Sequence, residues 1–125
     1  MTRTIALVLM TLLASAGAAQ AEGDAAAGEK VFSKCKACHV IDKPTNRVGP
    51  HLVGLFGREA GHVEGFKYSD AMKGSGLTWD EATLDKYLAD PKGFIPKNKM
   101  AFAGLKNEQE RANVIAYLKQ ATATH

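Results

Sequence analysis

The sequence predicts an all-α domain of short helices and long loops wrapped around a large bound apolar group. Three observations predict it. Capping residues and stripes of period 3.6 mark several helices, whereas strand signals are weak. The stretch from His39 to Phe66 is rich in Gly and Pro and has no period, yet carries Val48, Leu52, Val53, Leu55, Phe56 and Val63. The two cysteines of the chain, Cys35 and Cys38, stand two residues apart with His39 directly after them.

The first residues are set apart before any fold is argued. Arg3 supplies a short positive region, and Ile5 to Leu13 is an apolar run broken only by Thr11. A membrane span needs about 20 apolar residues, so the run is too short for one. Small residues follow and end in Ala19-Gln20-Ala21, an A-x-A cleavage pattern. Residues 1–21 therefore read as a cleaved secretory signal peptide, and 22–125 as one mature domain. An uncleaved anchor fits less well, because charged sequence follows the apolar run at once. Of 16 Lys plus Arg, losing Arg3 leaves 15 against 13 Asp plus Glu, or +2. That balance lacks the strongly basic surface of a nucleic-acid-binding domain. No second apolar span follows, so no stable membrane insertion is expected.

Each helix is justified in turn. Asp24 is a good N-cap for a helix running through Ala25 to Phe32 toward Cys35. Ala27, Val31 and Cys35 share one face, with Gly28 and Phe32 alongside. Gly28 costs helix stability relative to Ala, which points to close approach by another element. A short helix begins at Ser69 and ends by Gly74. A firmer one follows Thr78, where Thr78-Trp79-Asp80-Glu81 has the form of a capping box; Leu84, Tyr87 and Leu88 make its face and Asp90-Pro91 ends it. The last starts at Asn107-Glu108-Gln109-Glu110, with Arg111, Val114, Ile115 and Leu118 as its buried stripe and Tyr117 at the edge.

The long loop is what demands a bound group. Loops of this length in small domains are usually functional or disordered, and this one is too apolar for disorder. Its side chains need an apolar surface that these helices alone do not supply.

Cys35-Lys36-Ala37-Cys38-His39 is C-x-x-C-H, the attachment signature of c-type haem. Two thiols add to the two vinyl groups of haem, and two intervening residues let a helical turn present both sulfurs to one haem edge. The adjacent histidine then offers a ring nitrogen to the iron. A thioredoxin-like pair needs a β-α-β context that is missing. A zinc site needs further ligands, and no second cysteine pair exists. A plain disulfide leaves the loop without a core.

The sixth iron position separates an electron carrier from an open-site haem enzyme or gas sensor. The mature chain offers Met72, Met100, His51, His62 and the terminal His125. Met72 lies in a short helical turn and reads as core. His51 and His62 read as surface or hydrogen-bonding residues, and His125 as a frayed end. Met100 lies in an apolar loop between two helices, Phe94 to Gly104, which can bring a thioether to the iron opposite His39. A peroxidase needs acid-base groups near the iron, and the apolar Met100 loop speaks against it.

Taken together these pieces resemble class I cytochrome c, most of all the bacterial cytochrome c2 branch close to mitochondrial cytochrome c. The resemblance spans Gly23 to Thr122. Besides C-x-x-C-H it rests on Gly28 and Phe32, Val48-Gly49-Pro50, Gly54-Leu55-Phe56-Gly57-Arg58, Gly65-Phe66-Lys67-Tyr68, Leu77-Thr78-Trp79, Tyr87-Leu88, Lys99-Met100-Ala101-Phe102-Ala103-Gly104 and Ala116-Tyr117-Leu118-Lys119. It implies an all-α class I cytochrome c fold around one covalent haem c, bound through Cys35 and Cys38, with His39 and Met100 on the iron. It further implies that the Pro50 carbonyl orients His39 and that Arg58, Tyr68 and Trp79 face the haem propionates. Tyr87 would reach the Met100 sulfur, Gly28 would let the first helix cross the last beside Tyr117, and Phe102 would shield the exposed haem edge. Two positions depart from the pattern. Met72 replaces an Asn that orders a buried water in eukaryotic members, and Asn98 replaces a Thr that contacts a propionate.

The function expected is one-electron transfer between larger redox complexes in a bacterial periplasm, by a monomer that converts no substrate. A subunit held permanently in a larger complex is the alternative, and the absence of an anchor or extension favours the free shuttle. Lys34 and Lys36 flank Cys35, while Lys92, Lys97, Lys99 and Lys106 border the Met100 loop. A basic ring of this kind steers acidic redox partners toward the haem edge and weakens with salt.

Overall fold

The computed structural model describes residues 23–124. The expected signal peptide and His125 lie outside the described residues. Five helices follow in order: α1 (Ala25–Phe32), α2 (Asp70–Lys73), α3 (Glu81–Ala89), α4 (Pro91–Phe94) and α5 (Glu108–Ala121). Among the described residues the β structure is one isolated bridge, Glu59 to Thr78.

The caps explain where the helices begin. Asp24 accepts from the amides of Ala26 and Ala27, Ser69 from Met72, and Asn107 from Glu110. Each such cap is worth about 0.5–2 kcal/mol. The third helix starts later than expected. Thr78 is held in the bridge to Glu59, and Asp80 caps instead, accepting from Thr83 at 2.7 Å. Glu81 is thereby freed from a capping box and pairs with Lys119 on α5. The Asp90-Pro91 stop does end α3, but Pro91 then opens α4, a turn not anticipated. Proline suits a first helical position, where its missing amide costs nothing.

The periodic reading carried α1 toward Cys35; regular helix stops at Phe32. The chain continues in tightened turns, with the Cys35 amide on Phe32 O at 2.7 Å and the His39 amide on Cys35 O at 3.0 Å. Two faces of α1 are apolar. Gly28 and Phe32 are buried against α5, while Val31 and Cys35 are partly buried and face the core cluster.

The α1–α5 crossing frames the fold. A Cβ on Gly28 would stand 1.9 Å from Asn113 O and 2.9 Å from Tyr117 Cβ. Beside it the Phe32 and Tyr117 rings meet at 5.5 Å, tilted by 48°. Asn113 Oδ1 accepts from the Asp24 amide at 2.9 Å, so the helices are joined at the N-terminal end of α1 as well. Arg111 Nε pairs with Asp85 at 2.7 Å, tying α5 to α3.

The segment between α1 and α2 is ordered by backbone and side-chain bonds rather than by regular structure. Leu55 and Val63 are buried there, and Leu52 and Phe56 are packed on the core. Val48 is 78% exposed. Met72 behaves as the core residue the sequence implied, buried in the same cluster as Trp79 and Leu84.

At an exposed helix position Gly→Ala gains about 0.5–1 kcal/mol. At Gly28 the contact with Asn113 O reverses the sign, and overpacking costs about 1–3 kcal/mol. Gly28→Ala is expected to lower the guanidinium midpoint of the holoprotein, and a raised midpoint would refute the crossing as described.

Candidate functional site

One cavity of about 240 Å³ runs into the core. Cys35, Cys38, His39, Pro50, Arg58, Tyr68, Trp79, Tyr87, Met100 and Phe102 all line it, although they come from five separate stretches of chain. The remaining walls are largely apolar, from Phe32, Leu55, Leu84 and Leu118 among others. Val48 is on this wall too, so its exposed side chain stands at the rim. Among the described lining residues there is no Asp or Glu, and His39 is the sole histidine.

The histidine is fixed on two sides. Its Nδ1 lies 2.7 Å from Pro50 O. A carbonyl oxygen only accepts, so Nδ1 carries the proton and Nε2 keeps its lone pair for a metal. Gly49 packs under the ring, where a Cβ would come within 2.5 Å of His39 Cε1. Burial is the main influence on His39 and lowers its pKa, against the raising effect of the Pro50 bond, so the ring is held in its ligating neutral form.

Cys35 and Cys38 are free thiols on the turn that α1 feeds, with the Cys38 amide on Cys35 O at 3.1 Å. Burial, then Cys38, push the Cys35 thiol up, with Lys34 opposing. Among the described residues no group of three His, Cys, Asp or Glu side chains is placed to hold a metal ion.

Arg58 is the clearest electrostatic feature. Its Nη1 donates to His51 O at 3.0 Å and Val53 O at 3.2 Å. Its Nε is buried and has no hydrogen-bond partner among the described residues. Burial lowers its pKa, yet a guanidinium stays charged in proteins. Tyr68 accepts the Val63 amide at 3.2 Å on its hydroxyl oxygen, which leaves its own proton for another acceptor. An anionic group is therefore what this wall lacks, and the two propionates of haem have that chemistry.

Met100 is presented by the loop after α4. The Tyr87 hydroxyl lies 3.9 Å from its sulfur. Burial pushes the Tyr87 pKa up to about 12, so the phenol keeps its proton and is a donor at neutral pH. Trp79 packs against the Tyr87 ring at 5.1 Å. The other described histidines are occupied elsewhere: His51 Nδ1 accepts the Val53 amide, and His62 pairs with Glu59 at the surface.

Sequence reasoning missed the groups that hold the Met100 loop. Asn98 is buried, at 4% exposure, and Lys92 Nζ donates to Asn98 O at 3.0 Å and Met100 O at 3.2 Å. An Asn in a Pro-containing turn is a signal for side chain to backbone bonding, and it marked this position without revealing its partners.

A thiol pair beside a histidine with a free ring nitrogen, opening on a cavity whose described walls are apolar and lack carboxylates and hold an unsatisfied buried arginine, is the construction of a c-type cytochrome. Comparison with known proteins agrees. The family described as Cytochrome c matches residues 25–122. Cytochrome c2 iso-2 of Magnetospirillum fulvum is 64% identical over 88 residues, 70% of this chain and 92% of that protein. Cytochrome c2 of Blastochloris viridis is 51% identical over 122 residues, 97% and 95% of the two chains. The solved structure of cytochrome cH from Methylobacterium extorquens superposes with a TM-score of 0.74 at 52% identity, covering 78% of this chain and 99% of that one. The chain belongs to the cytochrome c family, on the class I branch close to the bacterial cytochromes c2. It is an electron carrier rather than an enzyme, and its cofactor is one covalent haem c bound through Cys35 and Cys38.

Thioether attachment has a direct consequence. Haem is expected to stay with the polypeptide through denaturation and acid–acetone extraction; haem recovered in the organic phase would refute attachment. Replacing both cysteines by Ala is expected to abolish a stable fold, read as loss of a cooperative unfolding transition.

Proposed function

We propose that this protein is a periplasmic single-electron shuttle whose haem iron is held by His39 and Met100. The observation that carries the reading is that both side chains line one cavity, His39 fixed by the bond to Pro50 O and Met100 touched only by the Tyr87 hydroxyl, each with a ligating lone pair spared. Bound there, the haem supplies a one-electron Fe(III)/Fe(II) couple, and a methionine opposite a histidine raises its potential. The chain's own residues do the rest. Pro50 and Gly49 hold the imidazole, Tyr87 leans on the thioether, Arg58, Tyr68 and Trp79 receive the propionates, and the apolar wall excludes water.

The rival is an open-site haem enzyme or gas sensor. Acid-base catalysis at the iron needs a titratable group on the side away from His39. The described cavity wall has no carboxylate and no second histidine, and Ala101 and Phe102 flank Met100. That composition favours a closed site. Residues 1–21 act as the cleaved signal that takes the chain to the periplasm, and the mature protein works as a monomer. Among the described residues no helix is long and apolar enough to cross a membrane.

Partner docking uses the rim. Lys34 and Lys99 line the cavity beside half-buried Phe102, and Lys36 and Lys97 are exposed next to them in sequence. Lys99, Lys92 and Lys106 also donate to backbone carbonyls, of Lys67, of Asn98 and Met100, and of Ala89. A carbonyl contact leaves the charge in place, so these residues still contribute to a positive field. Acidic redox proteins or complexes are the partners this field suits.

Two tests follow. Oxidised protein is expected to show the weak far-red sulfur-to-iron band; Met100→Ala abolishes it and admits azide or imidazole, whereas Met72→Leu leaves it. Loss of the band in Met72→Leu with retention in Met100→Ala would overturn the ligation. For docking, reversing the charge of Lys34 and Lys99 is expected to slow oxidation by an acidic partner severalfold at low salt and to flatten the salt dependence. Lys119→Gln serves as the distant control, because its ammonium is already paired with Glu81. Equal stopped-flow rates for both variants at every salt concentration would remove the docking face.

A further inference from the structure

We infer that Asn98 is a positioning residue whose side-chain amide sets where the Met100 thioether stands. The inference rests on Met100 being the sixth ligand. Asn98 Nδ2 donates to Pro91 O at 2.7 Å and Ile95 O at 2.8 Å. Its Oδ1 accepts the Met100 amide at 3.0 Å. One orientation of the amide satisfies all three, since two carbonyls need the NH₂ and an N–H needs the oxygen. The staple joins the start of α4, the end of that turn and the ligand residue itself.

Around it the loop is constrained further. Lys92 Nζ holds the carbonyls of Asn98 and Met100; with the Met100 amide on Asn98 Oδ1, the peptide groups on both sides of Met100 are engaged. Lys97, immediately before Asn98, adopts φ +62°, a conformation that persists in a non-Gly residue only when its surroundings over-determine it. By contrast the sulfur, packed against the core, has one weak hydrogen bond among the described residues, from the Tyr87 hydroxyl at 3.9 Å. The place of the thioether is thus decided by its backbone, and the backbone by Asn98.

This also explains the departure from Thr. Both amide protons of Asn98 are used on carbonyls, so it has none left for a propionate. A threonine hydroxyl has a single proton and cannot bridge Pro91 O and Ile95 O together. An external ligand reaches the iron only from the state in which Met100 has left, and its apparent affinity is scaled by the population of that state. If leaving breaks the bond from the Met100 amide to Asn98, removing Asn98 raises that population.

The test uses the ferric holoprotein with imidazole as the probe. Asn98→Ala is expected to bind imidazole about tenfold more tightly, the order of one lost hydrogen bond, with a weakened far-red band. Asn98→Thr is expected to fall between Ala and wild type, and decides the matter if the Ala variant yields no holoprotein. Asn113→Ala, which removes the bond to the Asp24 amide at the α1–α5 end, is expected to lower the melting temperature without changing imidazole affinity. Wild-type imidazole affinity in the Asn98 variants, or an equal rise in Asn113→Ala, would overturn the positioning role and leave Asn98 merely structural. Met100→Ala keeps the two readings apart. Tight imidazole binding there preserves the ligation even if Asn98 fails, and no change there would reject the ligation itself.

Discussion

The structure depends on an apolar cavity that runs into the core in place of a solid interior. Phe32, Leu55, Trp79, Leu84 and Leu118 belong to the core cluster and line the cavity at once. A chain of this size has little area to bury, and five helices, two of them single turns, leave much of their apolar surface facing one another only across that space. The covalent haem of the family is therefore part of the hydrophobic core, and attachment through two thioethers keeps that part of the core from dissociating. Burial of apolar area is worth roughly 25 cal/mol per Å², which makes the cofactor as much a structural element as a redox one.

A cavity enclosed mostly by loops needs its walls held without sheets or long helices. The chain does this with side chains bonded to backbone. Arg58 gathers the carbonyls of His51 and Val53, Asn46 joins Glu64 O to the His51 amide, and Lys99 reaches Lys67 O across to the Met100 loop. Such bonds give irregular backbone the partners that a sheet or helix would otherwise supply. The Met100 backbone is held in the same way, by Lys92 and Asn98. The same logic acts at His39, where Pro50 O and Gly49 leave the ring one orientation.

Charge is distributed in keeping with electron transfer. Among the described residues the cavity wall combines a buried guanidinium with tyrosine hydroxyls and no carboxylate, a setting that would suit the anionic propionates of a bound haem. Outside, lysines collect around the rim. Interior and exterior are not fully separate, since Lys34 and Lys99 line the cavity and Lys92 also holds the Met100 loop.

By itself the sequence determined the covalent chemistry and the helices whose signals are local. C-x-x-C-H specifies the attachment because its spacing is a property of neighbouring residues, and Asp24, Ser69 and Asn107 cap their helices because a cap needs only the next turn. Gly28 announced a close crossing through its helix cost alone. Resemblance, not periodicity, supplied the partners of Pro50, Arg58 and Tyr87. Tertiary structure decided the rest. Asp80 rather than Thr78 caps the third helix because a bridge from Glu59 claimed Thr78, and Pro91, which ends that helix, also opened a new one. Asn98 shows the limit most plainly. Its type signalled a turn, but its three partners are carbonyls and an amide brought together only when the loop folds back on itself, and nothing local in a sequence encodes which distant backbone groups will lie within reach.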